Sequence, residues 1–487
     1  MRSRHPAPSA RARACTPTRT HLLRPLALVL LLATESAWAQ VSVQKPVMAS
    51  AAPASAFAPE SLAELLRRVL PTDPQVRSAR SQLEVSGERR TQARSRLMPN
   101  VGVQATQGRS AEQEFGLPID RRSQRAETTL RWNLYNSGND AAELRATGID
   151  ETASEHDVRR AQEDTAQRVG EAYLEVLRLQ SVLPSAANRL QAVQRLVEQT
   201  RRQADLGKMS DADAQQAEAA LLDAEMAHEE TIADHESARR KLARLIGAAS
   251  VDELRPAVAV VLPTPAAGAR TDKWGDVPPG VLAAAQQRAL AARERVRPQM
   301  SLLAPRIDLE VRKQLGDNTT PALTSTTKQS WQVTARWDFP VGGELQARRN
   351  EAERRAEAAE AEADRVSRNL QAELTTLGPQ VAQAERALTL IVWQIEQYGT
   401  LVRAGELQFE AGRRTLAQLI ALRDSRYNAE KRLAEQATRL QKARLSQLYY
   451  SGELLQMMGL GTLPRATPLA PPPAMPPPSI DDLAPGG

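Results

Sequence analysis

Aromatic side chains make up only 3% of this 487-residue chain, cysteine occurs once, and no apolar run reaches the length of a membrane-crossing helix. Each shortage removes a class of protein. With few aromatics, and with Ala, Arg, Glu, Gln and Leu filling long stretches, the composition is that of long helices and coiled coils, not of an ordinary globule. A single cysteine, Cys15, allows no internal disulfide. Without an apolar run of ~20 residues, any insertion into a bilayer has to be as β-structure. Histidine is sparse too: after the N-terminal segment only His156, His228 and His235 remain, and His228-Glu229-Glu230 does not continue into the H-E-x-x-H metal pattern. They read as solvated coiled-coil histidines. No Walker A or dinucleotide-binding glycine pattern occurs. The chain is therefore not read as an enzyme, and no catalytic residue, cofactor or metal site is expected. Energy for any transport has to come from a partner.

The N-terminus reads as an export signal over residues 1–39. Arginines end at Arg24, an apolar run Pro25–Ala33 follows, and Ala37-Trp38-Ala39 offers a cleavage site before Gln40. That segment holds six Arg and one Glu, a net of +5, so +1 of the chain's +6 stays on the mature protein. A nucleic-acid partner loses its main support. Cys15 leaves with the signal, so the mature chain is expected to carry no thiolate nucleophile and no site for N-terminal lipid attachment.

The most informative feature is a duplication. An offset of 205 residues aligns Arg131-Trp132-Asn133-Leu134 with Arg336-Trp337-Asp338-Phe339, Gly138 with Gly343, Gly207 with Gly412, Ala224-Glu225 with Ala429-Glu430, and Gly247 with Gly452. Leu97-Met98-Pro99 resembles Leu303-Ala304-Pro305 at an offset of 206. The first copy is placed at 60–247 and the second at 280–458. A Pro/Ala/Val-rich linker, 248–279, lies between them. Residues 40–59 and a Pro-rich tail, 459–487, are expected to be unstructured.

Each copy has the order helix, Pro, strand, polar loop, strand, very long helix, tight turn, long helix. Asp73 caps a helix that starts at Pro74 and runs to about Met98. A second helix is expected from Gly138 to about Ala204, with Pro184 inside it. Its 67 residues reach ~100 Å at ~1.5 Å each. The matching helix runs from about Glu344 to Ala404, with a kink expected at Gly378-Pro379. Helices this long must pack side by side. Val381, Ala384, Leu388, Ile391, Ile395, Tyr398 and Val402 alternate steps of three and four, as do Leu190, Val193, Val197, Thr200 and Ala204, which is the seam of a left-handed coiled coil.

Four segments alternate with period two instead. Val101, Val103 and Ala105 oppose Gly102, Gln104 and Thr106; Thr128, Leu130, Trp132 and Leu134 oppose Thr129, Arg131 and Asn133. In the second copy Ile307, Leu309 and Val311 oppose Asp308, Glu310 and Arg312, and Trp331, Val333, Ala335, Trp337 and Phe339 oppose Gln332, Thr334, Arg336 and Asp338. Each approaches the ~9–11 residues of a tilted membrane strand. Trp132, Trp331, Trp337 and Phe339 are candidate lipid-interface aromatics. Segments 107–125 and 316–328 read as polar loops outside the membrane. Four strands cannot close a barrel, and lipid tolerates no open edge, so several chains must share one. A homotrimer gives twelve strands, four from each chain.

The duplication, the strand end Arg131-Trp132-Asn133-Leu134 followed by Gly138, and the turns Leu206-Gly207-Lys208-Met209-Ser210 and Ala411-Gly412-Arg413-Arg414-Thr415 together resemble the TolC family of outer-membrane channels, over most of residues 60–458. The resemblance implies a mainly α fold: antiparallel coiled-coil helices forming a periplasmic α-barrel, topped by four strands per chain in a shared trimeric β-barrel in the outer-membrane lipid. It also implies a periplasmic adaptor docked at the tip and an inner-membrane pump, either an ABC or a proton-driven transporter. Leu206, Gly207, Ser210, Ala411, Gly412 and Thr415 are the candidate docking turns. Gly207 and Gly412 suit helix ends, and Ser210 and Thr415 suit the caps that follow, the latter in a capping box with Gln418. In the family an arginine near the second turn holds the entrance shut. Arg414 occupies that place, with Asp213 as the natural acceptor. Where relatives carry aspartate rings, this chain has Gln418 and Ala421.

Two cargo classes fit. The absence of an acylated cysteine and the stretch Asp211–Glu218 favour type I protein secretion over small-molecule drug or metal efflux. A non-transporting periplasmic coiled-coil scaffold is the reading of another class.

Overall fold

A computed structural model describes residues 61–114, 117–248, 260–263, 278–297, 305–319, 328–337 and 342–461. The expected signal, the 40–59 segment, most of the linker and nearly all of the tail lie outside these residues, as does Phe339.

The described elements are α1 (Leu62–Val69), α2 (Pro74–Ser95), β1 (Asn100–Glu114), β2 (Leu117–Asn136), α3 (Asn139–Asp205), α4 (Asp211–Ile246), α5 (Gly280–Val296), β3 (Arg306–Thr319), β4 (Lys328–Arg336), α6 (Glu344–Glu410), α7 (Leu416–Ser451) and the short α8 (Leu454–Met457). The duplication is legible in their lengths. Both α3 and α6 have 67 residues, both α4 and α7 have 36, and their ends differ by the same 205 positions. Helix α6 thus runs to Glu410, beyond the expected Ala404: it continues through Gly405 and closes at Gly412, which has positive φ. Both long helices continue through their interior prolines, Pro184 and Pro379.

Local chemistry sets the helix ends. Asp73 accepts the Gln75 and Val76 amides with Pro74 at the first position, and Ser61 and Glu64 form a reciprocal capping box. Long helices of both copies close on glycines with positive φ, at Gly207, Gly247, Gly412 and Gly452. At Gly207 and Gly412 the next amide, of Lys208 or Arg413, reaches back 2.8 Å to the Gln203 or Gln408 carbonyl. A side chain at these positions would strain the left-handed backbone that this closure requires.

Packing follows the heptad stripes. Val193, Val197, Thr200, Val381, Ala384 and Val402 are all buried. Near the turns the helices lie in the order α4–α3–α7–α6; toward the sheet α3 and α6 continue, now accompanied by α2 and α5. The largest apolar cluster belts the middle of α3, where Val169, Tyr173 and Leu174 meet Leu62 and Leu66 of α1, Leu242 of α4, Leu445 and Leu448 of α7 and Leu454 of α8. Glu163 is buried beside this belt. It accepts the Gly280 amide at 3.1 Å and Arg159 Nε at 2.8 Å, while Arg159 also donates to the Gly452 carbonyl at 2.7 Å. One buried ion pair thereby ties the start of α5 and the end of α7 to α3. Burial pushes the Glu163 carboxyl above its ordinary range, against the opposing pull of Arg159 and the Gly280 amide.

The sheet is antiparallel throughout, in the order β1-β2-β3-β4. Its strands are longer than the alternating patterns. The β1–β2 ladder is continuous from Asn100↔Arg131 to Glu114↔Leu117, so most of the expected loop 107–125 is a hairpin, and β3 runs on to Thr319. Antiparallel pairing satisfies backbone groups whatever the side chains are, so a strand with two polar faces leaves no hydrophobic signature.

Candidate functional site

Two parts of the fold bear on function: the sheet, and the turns with the helices beside them.

Pairing aligns the apolar halves of the four strands into rows. Val101, Leu130, Val311 and Trp331 form one, Trp132, Leu309 and Val333 the next, and Tyr135, Ile307 and Ala335 a third, where a bulge at Asn133/Tyr135 restores the register. No described helix of the chain covers this apolar face. Val103 is 75% exposed and Trp331 73%, and Trp337 is also open to its surroundings. Trp132 sits at the sheet's helical end and donates from Nε1 to the Leu97 carbonyl at 2.9 Å. The opposite face is charged and internally paired. Arg312 contacts Glu127 at 3.0 Å and Glu310 at 2.8 Å, and Gln332 donates to Glu310. One apolar and one polar face, both uncovered, fit a wall between lipid and a water-filled lumen. Among the described residues, the outer strands β1 and β4 each keep an unpaired edge.

At the turns, Leu206, Gly207, Ser210, Ala411, Gly412 and Thr415 are all exposed. Ser210 accepts the Ala212 amide at 3.1 Å, and Thr415 accepts the Gln418 amide at 3.4 Å. The second capping motif is thus half of a capping box. Beneath the turns Met209, Phe409, Leu416 and Leu419 join Val193, Leu196 and Ala217 in one cluster, which sets the two hairpins side by side.

The Arg414 guanidinium folds back onto α6. A methyl group placed on Gly405 would lie 2.7 Å from Arg414 Nη1, so the missing side chain makes the room that Arg414 uses. Among the described residues no hydrogen bond or ion pair joins Arg414 to Asp213 within one chain. The polar links between the hairpins lie higher, at residues that sequence reasoning did not single out. Arg189 of α3 pairs with Asp424 of α7 at 2.9 Å and lies over the Tyr427 ring at 5.2 Å. Arg423 donates to the Ala192 carbonyl at 2.8 Å and pairs with Glu406 at 2.7 Å, and Lys442 pairs with Glu175 at 2.9 Å. No group of side chains suited to a metal occurs among the described residues, and no described helix is long and apolar enough to cross a membrane.

The model of the outer membrane efflux protein family matches residues 65–248 and 281–450, both copies of the repeat. The chain belongs to that family. Outer membrane efflux proteins are channels of the outer membrane that extend into the periplasm, and this locates the chain there and sets aside the periplasmic scaffold. Solved structures share the fold. The CusC channel gives a TM-score of 0.74 at 14% identity, covering 82% of this chain and 93% of that one. The Campylobacter jejuni CmeC outer membrane channel gives 0.71 at 12% identity (81% and 86% covered), and the Vibrio cholerae outer membrane protein VceC gives 0.70 at 16% identity (80% and 96% covered). No curated protein matches the sequence. The resemblance to TolC-like channels and the mainly α fold with a four-stranded sheet therefore hold.

Proposed function

We propose that three copies of this chain close a twelve-stranded barrel in the outer membrane, continued by a helical conduit, and that this conduit carries cargo from an inner-membrane pump to the cell exterior. The supporting observation is the apolar row Val101–Leu130–Val311–Trp331, exposed at Val101 and Trp331, on a sheet whose edge strands are both open among the described residues. Exposed apolar surface and unpaired strand edges are tolerated together only where lipid covers the face and other strands pair with the edges. Light scattering of detergent-purified protein tests this. A trimer is expected, with heat-sensitive gel migration; a monodisperse monomer ends the proposal.

The exposed turns Leu206–Ser210 and Ala411–Thr415 are the docking surface for a periplasmic adaptor, which links the conduit to an ABC or proton-driven transporter. In the assembled ring Arg414 of one hairpin and Asp213 of a neighbouring one restrict the entrance. An Arg414→Ala channel with unchanged conductance removes that role.

The cargo reading is type I protein secretion. It is supported by the position of the only cysteine, Cys15, ahead of Ala37-Trp38-Ala39, and by the stretch Asp211–Glu218. Small-molecule efflux is the second reading, favoured by the family's description as efflux proteins. A deletion strain separates them. Loss of a secreted protein from the medium supports the first, and hypersensitivity to drugs or metals with an intact secretome supports the second.

A further inference from the structure

A cavity of about 740 Å³ lies at the helical end of the sheet, where the ends of α2 and α5 meet the starts of α3 and α6. Asp140, on its wall, accepts the side-chain amides of Asn133 at 2.9 Å and Asn136 at 3.2 Å. Asn133 stands opposite Asp308 in the charged rows of the sheet, so the cavity lies on the charged side, away from the apolar row through Trp331. Four guanidiniums, of Arg96, Arg295, Arg348 and Arg355, line it against three carboxylates, of Asp140, Glu143 and Glu351. A second cavity of about 500 Å³ shares Arg96, Glu143 and Arg295 with the first, and adds Arg89 and Arg288 with Asp150 and Asp157.

The arginines come in pairs seven residues apart, a spacing that keeps both on one face of a helix: Arg89 and Arg96 from α2, Arg288 and Arg295 from α5, Arg348 and Arg355 from α6. Helix α3 carries Glu143, Asp150 and Asp157 at the same interval. The α5 pair is spent on that stripe. Arg295 donates to Glu143 at 3.0 Å and to Asp150 at 2.6 Å, and Arg288 pairs with Asp157. The other two pairs are open. Among the described residues the Arg89 and Arg96 side chains form no hydrogen bond or ion pair. Arg348 and Arg355 reach only Glu344 and Glu351, one turn back on their own helix, in exposed pairs that open readily. The internal repeat sharpens the contrast. Shifted by 205 positions, Glu143 and Asp150 fall on Arg348 and Arg355. The same two places are acidic in the first copy, where α5 neutralises them, and basic in the second, where among the described residues no other helix does.

We propose that these walls form an oxyanion-binding station on the export path, where Arg96, Arg348 and Arg355 take carboxylate or phosphate groups of the cargo as it passes from the helical conduit into the barrel. A guanidinium presents paired N–H donors that match either group, and the acids beside these three are already engaged. A lining of this sign also concentrates anions and repels cations. The station rests on the trimeric conduit reading and adds to it the charge of what is carried.

Planar-bilayer recording of the full chain tests this. In a KCl gradient the parent is expected to favour chloride. Arg96→Gln, Arg348→Gln and Arg355→Gln together are expected to shift the permeability ratio several-fold toward potassium. Inorganic phosphate and a hexaglutamate peptide are each expected to lower the parent's chloride current, and the more potent of the two tells whether small oxyanions or acidic polypeptide are the source of the bound group. The three matching lysine substitutions keep the charge and lose the fork, so chloride preference should stay while inhibition by phosphate weakens. Lysine variants inhibited as strongly as the parent would reduce the station to bulk charge and overturn it as a site. A glutamine variant that runs as a heat-sensitive oligomer, with reversal potential and inhibition unchanged, overturns it altogether. If the parent forms no channel, the conduit reading fails first.

Discussion

Arg189 and Asp424, 235 positions apart in sequence, meet at 2.9 Å and pin the first helical hairpin to the second, with the guanidinium also covering the Tyr427 ring. Arg189 is largely withdrawn from solvent, so the pair is less screened than a surface pair. Removing it costs about 2 kcal/mol at the seam. Arg189→Ala is expected to raise single-channel conductance in planar bilayers and to lower the salt concentration at which the channel loosens. Conductance and salt dependence equal to those of the parent would show that the hairpins are held elsewhere.

Gly405 offers a gentler probe of Arg414. Alanine there places a methyl 2.7 Å from Arg414 Nη1 and 3.1 Å from Leu422 Cδ1, and the flexible guanidinium is the group that gives way. Glycine-to-alanine inside a helix gains up to ~1 kcal/mol, and the tight contact with Leu422 Cδ1 works against that gain, so a melting curve of Gly405→Ala accompanies the conductance measurement. Its conductance should change in the direction that Arg414→Ala produces. Opposite changes in the two variants would separate Arg414 from the entrance.

The two faces of the sheet make opposite predictions for neighbouring residues. Val333→Arg puts a charge on the apolar face and should cost about 2–4 kcal/mol of membrane stability. Gln332→Arg, on the paired polar face, should be close to neutral. Heat-sensitive migration and membrane-fraction yield report both. Equal loss in the two variants would contradict the assignment of faces.

Glu163 sets a pH dependence of fixed sign. Its folded-state carboxyl is raised above the ordinary 4.5, so the folded protein binds that proton more readily than the unfolded chain does. The stability it contributes is present below 4.5 and is lost as pH rises through the raised value. Glu163→Gln keeps an acceptor for the Gly280 amide but removes the titration. The variant's melting temperature should vary less with pH across that window. A slope identical to the parent's would place the titration on another group.

How much of this was legible in the sequence depends on the range of the interaction. Helix ends were readable because Asp73-Pro74, Gly207 and Gly412 act within one turn. The stripe Val381–Val402 was readable because burial along one helix repeats in sequence. The hairpin extending β1 to Glu114 and β2 back to Leu117 was not, since a ladder between two polar strands leaves no alternation to read. Nor was the Arg189–Asp424–Tyr427 link. A heptad stripe identifies a face to be buried without saying which face of another hairpin covers it. Family resemblance points to Arg414 as the gate arginine, but side-chain direction, decided by the space at Gly405, carries it onto α6.

The unbroken length of α3 makes it a lever with the belt around Val169 as its fulcrum. From there to Asp205 the arm is ~54 Å at ~1.5 Å per residue, so a tilt of ~5° moves the tip by nearly ~5 Å. Such a swing breaks no helical hydrogen bond and asks the belt only for a small rotation. Leaning rods of this length apart would separate their tips without melting them.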